Sequence, residues 1–337
     1  MAQTPRERFL NALAGRPVDR VPVANPTSII TRGLQEKAGV FFPEANYEAG
    51  PMAELALAGH TICGYDAVSP AFGAGTHESA ALGVPTRWGD RDSLPAQEKA
   101  IWSHPDEIEI PDDFLERPSV KSVIDAIRLL KDEVGDRVAV IGKVFGPWSL
   151  AYHTIGLQKF LIQTMKDPSF VHAVLERLKP IPKMYAQAQI EAGADALTYA
   201  CHITADLIRP SAVPDFVLPI HQEMAAEIDC PLILHCCGRT IDRIEHFNKN
   251  GMAAFHFESA NDAKEMRDQA DMVLIGNINN TNTLVAGERE DVRREVHYAI
   301  AAGVDMIAPE CAVPVTAKLE NVIAVREAVD EYYEGAD

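Results

Sequence analysis

The chain has 337 residues, 47% of them hydrophobic, and a formal net charge of −18 at pH 7. That charge argues against nucleic acid or an anionic membrane surface as a partner, because both need a basic face. No apolar run approaches the roughly 20 residues of a membrane span. The charged start Met1-Ala2-Gln3-Thr4-Pro5-Arg6-Glu7-Arg8 lacks the apolar stretch of a signal peptide. The six cysteines are too scattered for a secreted disulfide framework, so a cytoplasmic protein is expected.

In chain order, Thr4-Pro5-Arg6-Glu7 predicts a helix start, with Thr4 as cap, Pro5 at the first helical position and Glu7 closing a capping box. This N-terminal extension covers residues 1–19. A short apolar run, Arg20 to Ala24, follows, and then seven more: Ala67 to Phe72, Val138 to Phe145, Ala196 to Cys201, Leu232 to Cys236, Ala253 to Phe257, Met272 to Ile278 and Val304 to Pro309. Gly, Asp or Pro bounds most of them, as expected of buried parallel strands. Helical periodicity fills Val120 to Val134, Gln158 to Ala192, Pro214 to Ile228 and Val292 to Ala302. Gly193-Ala194-Asp195 and Gly303-Val304-Asp305 read as helix ends leading into strands.

Eight strands alternating with helices predict one (β/α)8 TIM barrel over residues 1–337, of α/β class, with long insertions after the first and second strands. An open doubly wound sheet is the alternative, but no glycine-rich phosphate fingerprint follows any strand. Residues 88–118 are the least regular part and a candidate lid.

Chemistry concentrates at His235-Cys236-Cys237-Gly238 and Pro309-Glu310-Cys311. In such a barrel the active site lies at the C-terminal strand ends, and these residues end the fifth and eighth runs. Side chains alternate along a strand, so Ile233, His235 and Cys237 share one face, while Leu234 and Cys236 share the other. His235, Cys237 and Cys311 are therefore a candidate zinc site. Three protein ligands leave one tetrahedral position for substrate.

Glu258, ending the sixth run, is either an exchangeable fourth ligand or a residue that orients a ligand by hydrogen bonding. Together with Asn277 at the seventh, it is a catalytic candidate. His77 and Glu78 after the second run, and His202 after the fourth, are candidates for contacts to substrate or cofactor. Cys201 and Cys236 read as packed thiols, and His104, His172, His221, His246 and His297 as surface residues.

The chain resembles the uroporphyrinogen decarboxylase superfamily, and within it the zinc-dependent methylcobamide:coenzyme M methyltransferases. The resemblance runs through Arg6 to Val23, Pro43-Glu44-Ala45, Gly64-Tyr65-Asp66-Ala67-Val68 and Gly146-Pro147-Trp148-Ser149-Leu150-Ala151. It continues through Glu191 to Asp195, Ile275-Gly276-Asn277-Ile278, Ala308-Pro309-Glu310-Cys311 and Leu319-Glu320-Asn321-Val322. The branch pattern of His-x-Cys and a late Cys is matched by His235, Cys237 and Cys311. Cobalamin-independent methionine synthases are similar in carrying such a zinc site on a barrel, but their flanking blocks differ. The decarboxylase itself is disfavoured, because no basic cluster follows Arg20. Glu310 stands where relatives often carry Gly, and Ala200 where they often carry Asp.

The resemblance implies a Zn2+-dependent enzyme that moves a methyl group from a methylated corrinoid protein to a small thiol, coenzyme M. The corrinoid would be carried by a partner protein, and a homodimer is allowed. A corrinoid-methylating enzyme that takes its methyl from a methoxylated aromatic or a methylamine is the alternative. A non-catalytic zinc or corrinoid-binding accessory protein belongs to another class.

Overall fold

Thr4 opens the helix Pro5–Leu13 as its sequence requires: its Oγ1 accepts the Glu7 N–H, and the Glu7 carboxylate accepts the Thr4 N–H. In a computed structural model that describes residues 2–335, this helix plugs the bottom of a parallel barrel. Phe9, Ala12 and Leu13 pack there against inward-facing Ala67, Ala139, Ile141, Ala196, Ile233, Ala254, Ile275 and Met306. Burying a side chain such as Phe9 contributes about 1.5–3 kcal/mol.

The strands are β1 (Ala67–Val68), a short antiparallel hairpin of β2 (Thr86–Arg87) and β3 (Ala96–Gln97), then β4 (Ala139–Phe145) and β5 (Ala196–Ala200). They continue with β6 (Leu232–Cys236), β7 (Ala254–Phe257), β8 (Val273–Ile278) and β9 (Met306–Pro309). All except the hairpin join one parallel sheet in the order β1-β4-β5-β6-β7-β8-β9.

The first predicted strand forms only a parallel bridge, Val23 to Ile307, and closes the circle without a ladder. Ala24 N–H reaches Ile307 O at 3.1 Å, and Asp66 N–H reaches Val23 O at 2.7 Å. The buried Asp66 carboxylate reinforces this seam. It accepts the Val23 N–H at 2.8 Å and pairs with Arg8 at 2.7 Å and Arg20 at 2.9 Å. Removing one partner of a buried pair costs about 3–5 kcal/mol. The expected eight-stave α/β barrel is therefore present, with one stave reduced to a bridge.

The long predicted helix from Gln158 to Ala192 is three: Leu157–Lys166, Pro168–Leu178 and Pro180–Glu191. Pro168 and Pro180 explain the breaks, since each occupies a first helical position and has no N–H to continue the preceding helix. Among the described residues, no helix is long and apolar enough to cross a membrane.

Candidate active site

Strand parity holds at β6. Ile233 packs in the barrel interior, while Leu234 and Cys236 join the outer core between sheet and helices. The same alternation carries His235 and then Cys237 inward at the C-terminal mouth. Gly238 ends the strand at φ +75°, and a Cβ there would stand 2.3 Å from Thr204 Oγ1, so only glycine makes this turn.

From the far end of β9, Cys311 completes a triangle. Cys237 Sγ lies 3.2 Å from His235 Nε2 and 3.3 Å from Cys311 Sγ, and Cys311 Sγ lies 3.4 Å from His235 Nε2. Zinc bond lengths of about 2.0–2.3 Å imply tetrahedral edges of roughly 3.5–3.8 Å, so a few tenths of an ångström of spreading suits the ion. The two sulfurs share a hydrogen bond that pushes the Cys237 thiol up and pulls Cys311 well down. A soft cation binds such thiols as thiolates. His235, Cys237 and Cys311 fit zinc by donor type and by spacing.

Surrounding residues fix these three. The His256 ring lies 4.7 Å from that of His235, and its Nε2–H donates to Pro309 O at 2.8 Å, two residues before Cys311. Asn25 Nδ2 donates to Cys311 O at 3.0 Å. Asn261 holds the turn after Cys237: its Nδ2 donates to Gly238 O at 2.9 Å, and its Oδ1 accepts the Thr240 and Ile241 N–H groups. Glu310, 8% exposed, clips three strand ends together. Its carboxylate accepts the Ser259 N–H and hydroxyl beyond β7 and the Asn280 N–H beyond β8, the last at 2.7 Å. The Glu310 carboxylate is thus engaged at both oxygens.

The other sequence candidates divide. Glu258 lies beside the Gly238 N–H and the Cys237 thiol, and burial pushes its carboxyl up. It stands outside the tight His235–Cys237–Cys311 group. Asn277 does not line the cavity; its Nδ2 donates to Asn261 O at 3.0 Å, supporting the turn that carries Cys237. His202 lines the cavity at its exposed rim.

His77 lies in the wall instead, its Nε2–H donating to Asn46 O at 2.9 Å with Trp88 alongside. Glu78 is also behind the lining, accepting the Phe145 N–H at 3.1 Å. His221, read as a surface residue, is 1% exposed and packs edge-on to Tyr199, because its helix turns that side to the sheet. His104 and His172 are exposed as expected, and His246 and His297 are partly covered.

Sequence reasoning missed His256, Asn261, His153 and Lys143. Parity was a usable signal for two of them. Ala139-Ile141-Lys143 alternates inward along β4, and His256 pairs with His235 across the β6–β7 ladder.

The cavity at the triangle holds about 270 Å³ and is mainly apolar, with Phe72, Leu94, Pro95 and Phe145 lining it alongside the thiols. Of the candidate lid, Leu94 and Pro95 reach it. Farther along, Phe114 packs against Tyr185 on the barrel's side. Gln97 in β3 holds the hairpin down, donating to Ala74 O and His153 Nδ1, both at 3.0 Å.

The chain is 30% identical over 337 residues to the methylcobamide:CoM methyltransferase MtaA of Methanosarcina barkeri, covering 98% of each. It is 29% identical to the methylated-thiol–coenzyme M methyltransferase of Methanosarcina mazei, over 97% of this chain and 89% of the relative. A solved methyltransferase structure from Methanosarcina mazei superposes with a TM-score of 0.94 at 28% identity, covering 98% of this chain and 99% of that one. The resemblance read from the sequence blocks therefore extends over the whole chain. The family model for uroporphyrinogen decarboxylase (URO-D) matches residues 4–332, and the chain belongs to that family.

Proposed function

We propose that this protein moves a methyl group from a methylated corrinoid, carried by a partner protein, to a small thiol of the coenzyme M type. The observation that carries this reading is the His235–Cys237–Cys311 triangle in a cavity at the barrel mouth. The volume of about 270 Å³ is below the ~300–1,000 Å³ typical of drug-sized ligands. It suits a short thiol, whereas a corrinoid can present only its methyl face at the opening.

A zinc ion held by the three residues would lower the pKa of a substrate thiol and supply it as a thiolate. The protein's own groups do the rest. Cys237 and Cys311 contribute negative charge that keeps such an ion a mild Lewis acid, and His256, Asn25 and Asn261 hold the three donors in place. Phe72, Leu94, Pro95 and Phe145 exclude water from the reacting sulfur. In the transfer, the substrate S–H proton leaves, an S–CH3 bond forms, and the Co–CH3 bond breaks with its electron pair remaining on cobalt. Co(III) thereby becomes Co(I).

The test is to incubate zinc-loaded protein with methylcob(III)alamin and 2-mercaptoethanesulfonate, and to follow the corrinoid spectrum. Thiol-dependent appearance of cob(I)alamin is expected. No demethylation with any thiol, combined with methylation of cob(I)alamin by a methoxy compound, reverses the direction and overturns the reading.

A further inference from the structure

Two buried ring nitrogens beside the triangle have no hydrogen-bond partner among the described residues: His235 Nδ1 and His256 Nδ1. Their residues are direct partners across the β6–β7 ladder, and the rings lie 4.7 Å apart at an interplanar angle of 32°. His235 is 6% exposed and His256 0%, so bulk solvent satisfies neither atom. Buried polar groups are paired as a rule, and two neighbouring exceptions call for a common explanation.

The other nitrogen of each ring decides where the hydrogens sit. His256 Nε2 lies 2.8 Å from Pro309 O, and a carbonyl oxygen only accepts, so this nitrogen carries the hydrogen. With no carboxylate bonded to it, the buried ring is neutral, and its Nδ1 is a bare acceptor. His235 Nε2 points at the two thiols, at 3.2 Å and 3.4 Å. A metal held there takes the bare nitrogen, which leaves the hydrogen of the ring on Nδ1 and makes that atom a donor. One of the two unpaired atoms therefore gives a hydrogen bond and the other accepts one. No direct bond joins them. A single water beside the rings is enough to take the first and supply the second.

We infer that His256 is the positioning residue for the metal ligand His235, its Nδ1 receiving the His235 Nδ1–H through one bridging water. The chain then runs from His235 through His256 to Pro309 O, two residues before Cys311, and links the β6 donor to the β9 donor. Such a bond orients a ligating imidazole and strengthens it as a donor. The inference rests on the metal reading of the triangle and not on the direction of methyl transfer.

Zinc affinity, from competition with a chelator, tests it together with NMR of isotopically labelled histidine in the zinc-loaded protein. In the wild type, His235 Nδ1 is expected to hold a hydrogen slow to exchange with solvent, and His256 Nδ1 to be bare. His256→Phe keeps an aromatic ring against His235 and removes both nitrogens. It should lower zinc affinity by about 10- to 100-fold and shift the His235 Nδ1–H signal. His256→Asn, whose side-chain oxygen replaces the Nδ1 acceptor, should restore part of the affinity.

Wild-type affinity in His256→Phe, or a His235 signal that the substitution leaves unmoved, overturns the inference. Should that variant fail to fold, the wild-type spectrum decides: a hydrogen on His256 Nδ1, or fast exchange at His235 Nδ1, overturns it. A wild type that binds no zinc removes the metal reading and this inference together. Zinc binding indifferent to His256 removes the inference alone.

Discussion

The two walls of the cavity are built in different ways. From β6 to β9 the strand ends are tied to one another by side chains: Asn261 to Gly238, Glu310 to Ser259 and Asn280, Asn277 to Asn261. From β1 to β4 the wall is apolar, covered by the β2–β3 hairpin, and its polar groups are sealed in by burial. The first wall fixes three donors to the tolerance a metal demands. The second shapes a small volume. Position is therefore set by hydrogen bonds on one side, and the cavity's shape by apolar packing on the other.

The sharpest way to break the first wall is to remove a donor. Cys311→Ala should abolish tight zinc binding, a loss beyond the roughly 10- to 100-fold typical of outer partners. Thiol methylation should vanish with it. Zinc content after dialysis is the measurement, and full activity in a zinc-free variant would sink the metal reading.

Acid should strain the second wall. Burial holds His77 and His153 down to about 4, so the unfolded chain binds more protons than the folded one below pH 6.5. Their stabilising contribution is complete above pH 6.5 and is lost as pH falls toward 4. Glu78 runs the other way, since burial raises it to about 7 and acid relieves that penalty between pH 7 and 4.5. The two histidines outweigh one carboxyl, giving a net loss on the order of 2 kcal/mol from this wall. Melting temperatures from pH 7 to pH 4 should fall, and Glu78→Gln should make that fall steeper. A parallel decline in the variant would contradict the assignment.

A smaller effect is expected from Asn261→Ala, which leaves the Thr240 and Ile241 N–H groups without their acceptor. The cost is about 1–3 kcal/mol, with zinc affinity lowered by roughly 10-fold or more. Urea unfolding and competitive metal titration report the two separately. If stability falls and affinity does not, the turn is held by the metal ligands themselves.

What the sequence made legible follows the same division. Parity along Leu232–Cys236, with the place of Cys311 at the end of the eighth run, sufficed to bring the three donors together. Those depend on local alternation and on the barrel's single functional face. The ties around them were not legible. Asn261 meets Gly238 only through the shapes of two turns, and Asn277 looked catalytic because a polar strand end gives no sign of what it bonds.

His77 and Glu78 lie in a short helix, Thr76–Ala81, whose inward side only tertiary packing decides. The first strand was visible as an apolar run, but its lack of a ladder was not, since Asp66 meets Arg8 and Arg20 across long stretches of chain. Lys143 was visible in principle, as a lone cation at an inward position of an apolar strand.

The seam between β9 and β1 links mechanical integrity to chemistry. The Val23–Ile307 bridge, the backbone bond from Asp66 to Val23 and the charges around Asp66 close the barrel there in place of a ladder. Asn25, two residues past that bridge, grips the carbonyl of Cys311. Any opening of the seam is therefore transmitted to a donor sulfur within one residue's reach. The N-terminal arm, remote from the cavity in sequence, acts as a tensioner for it.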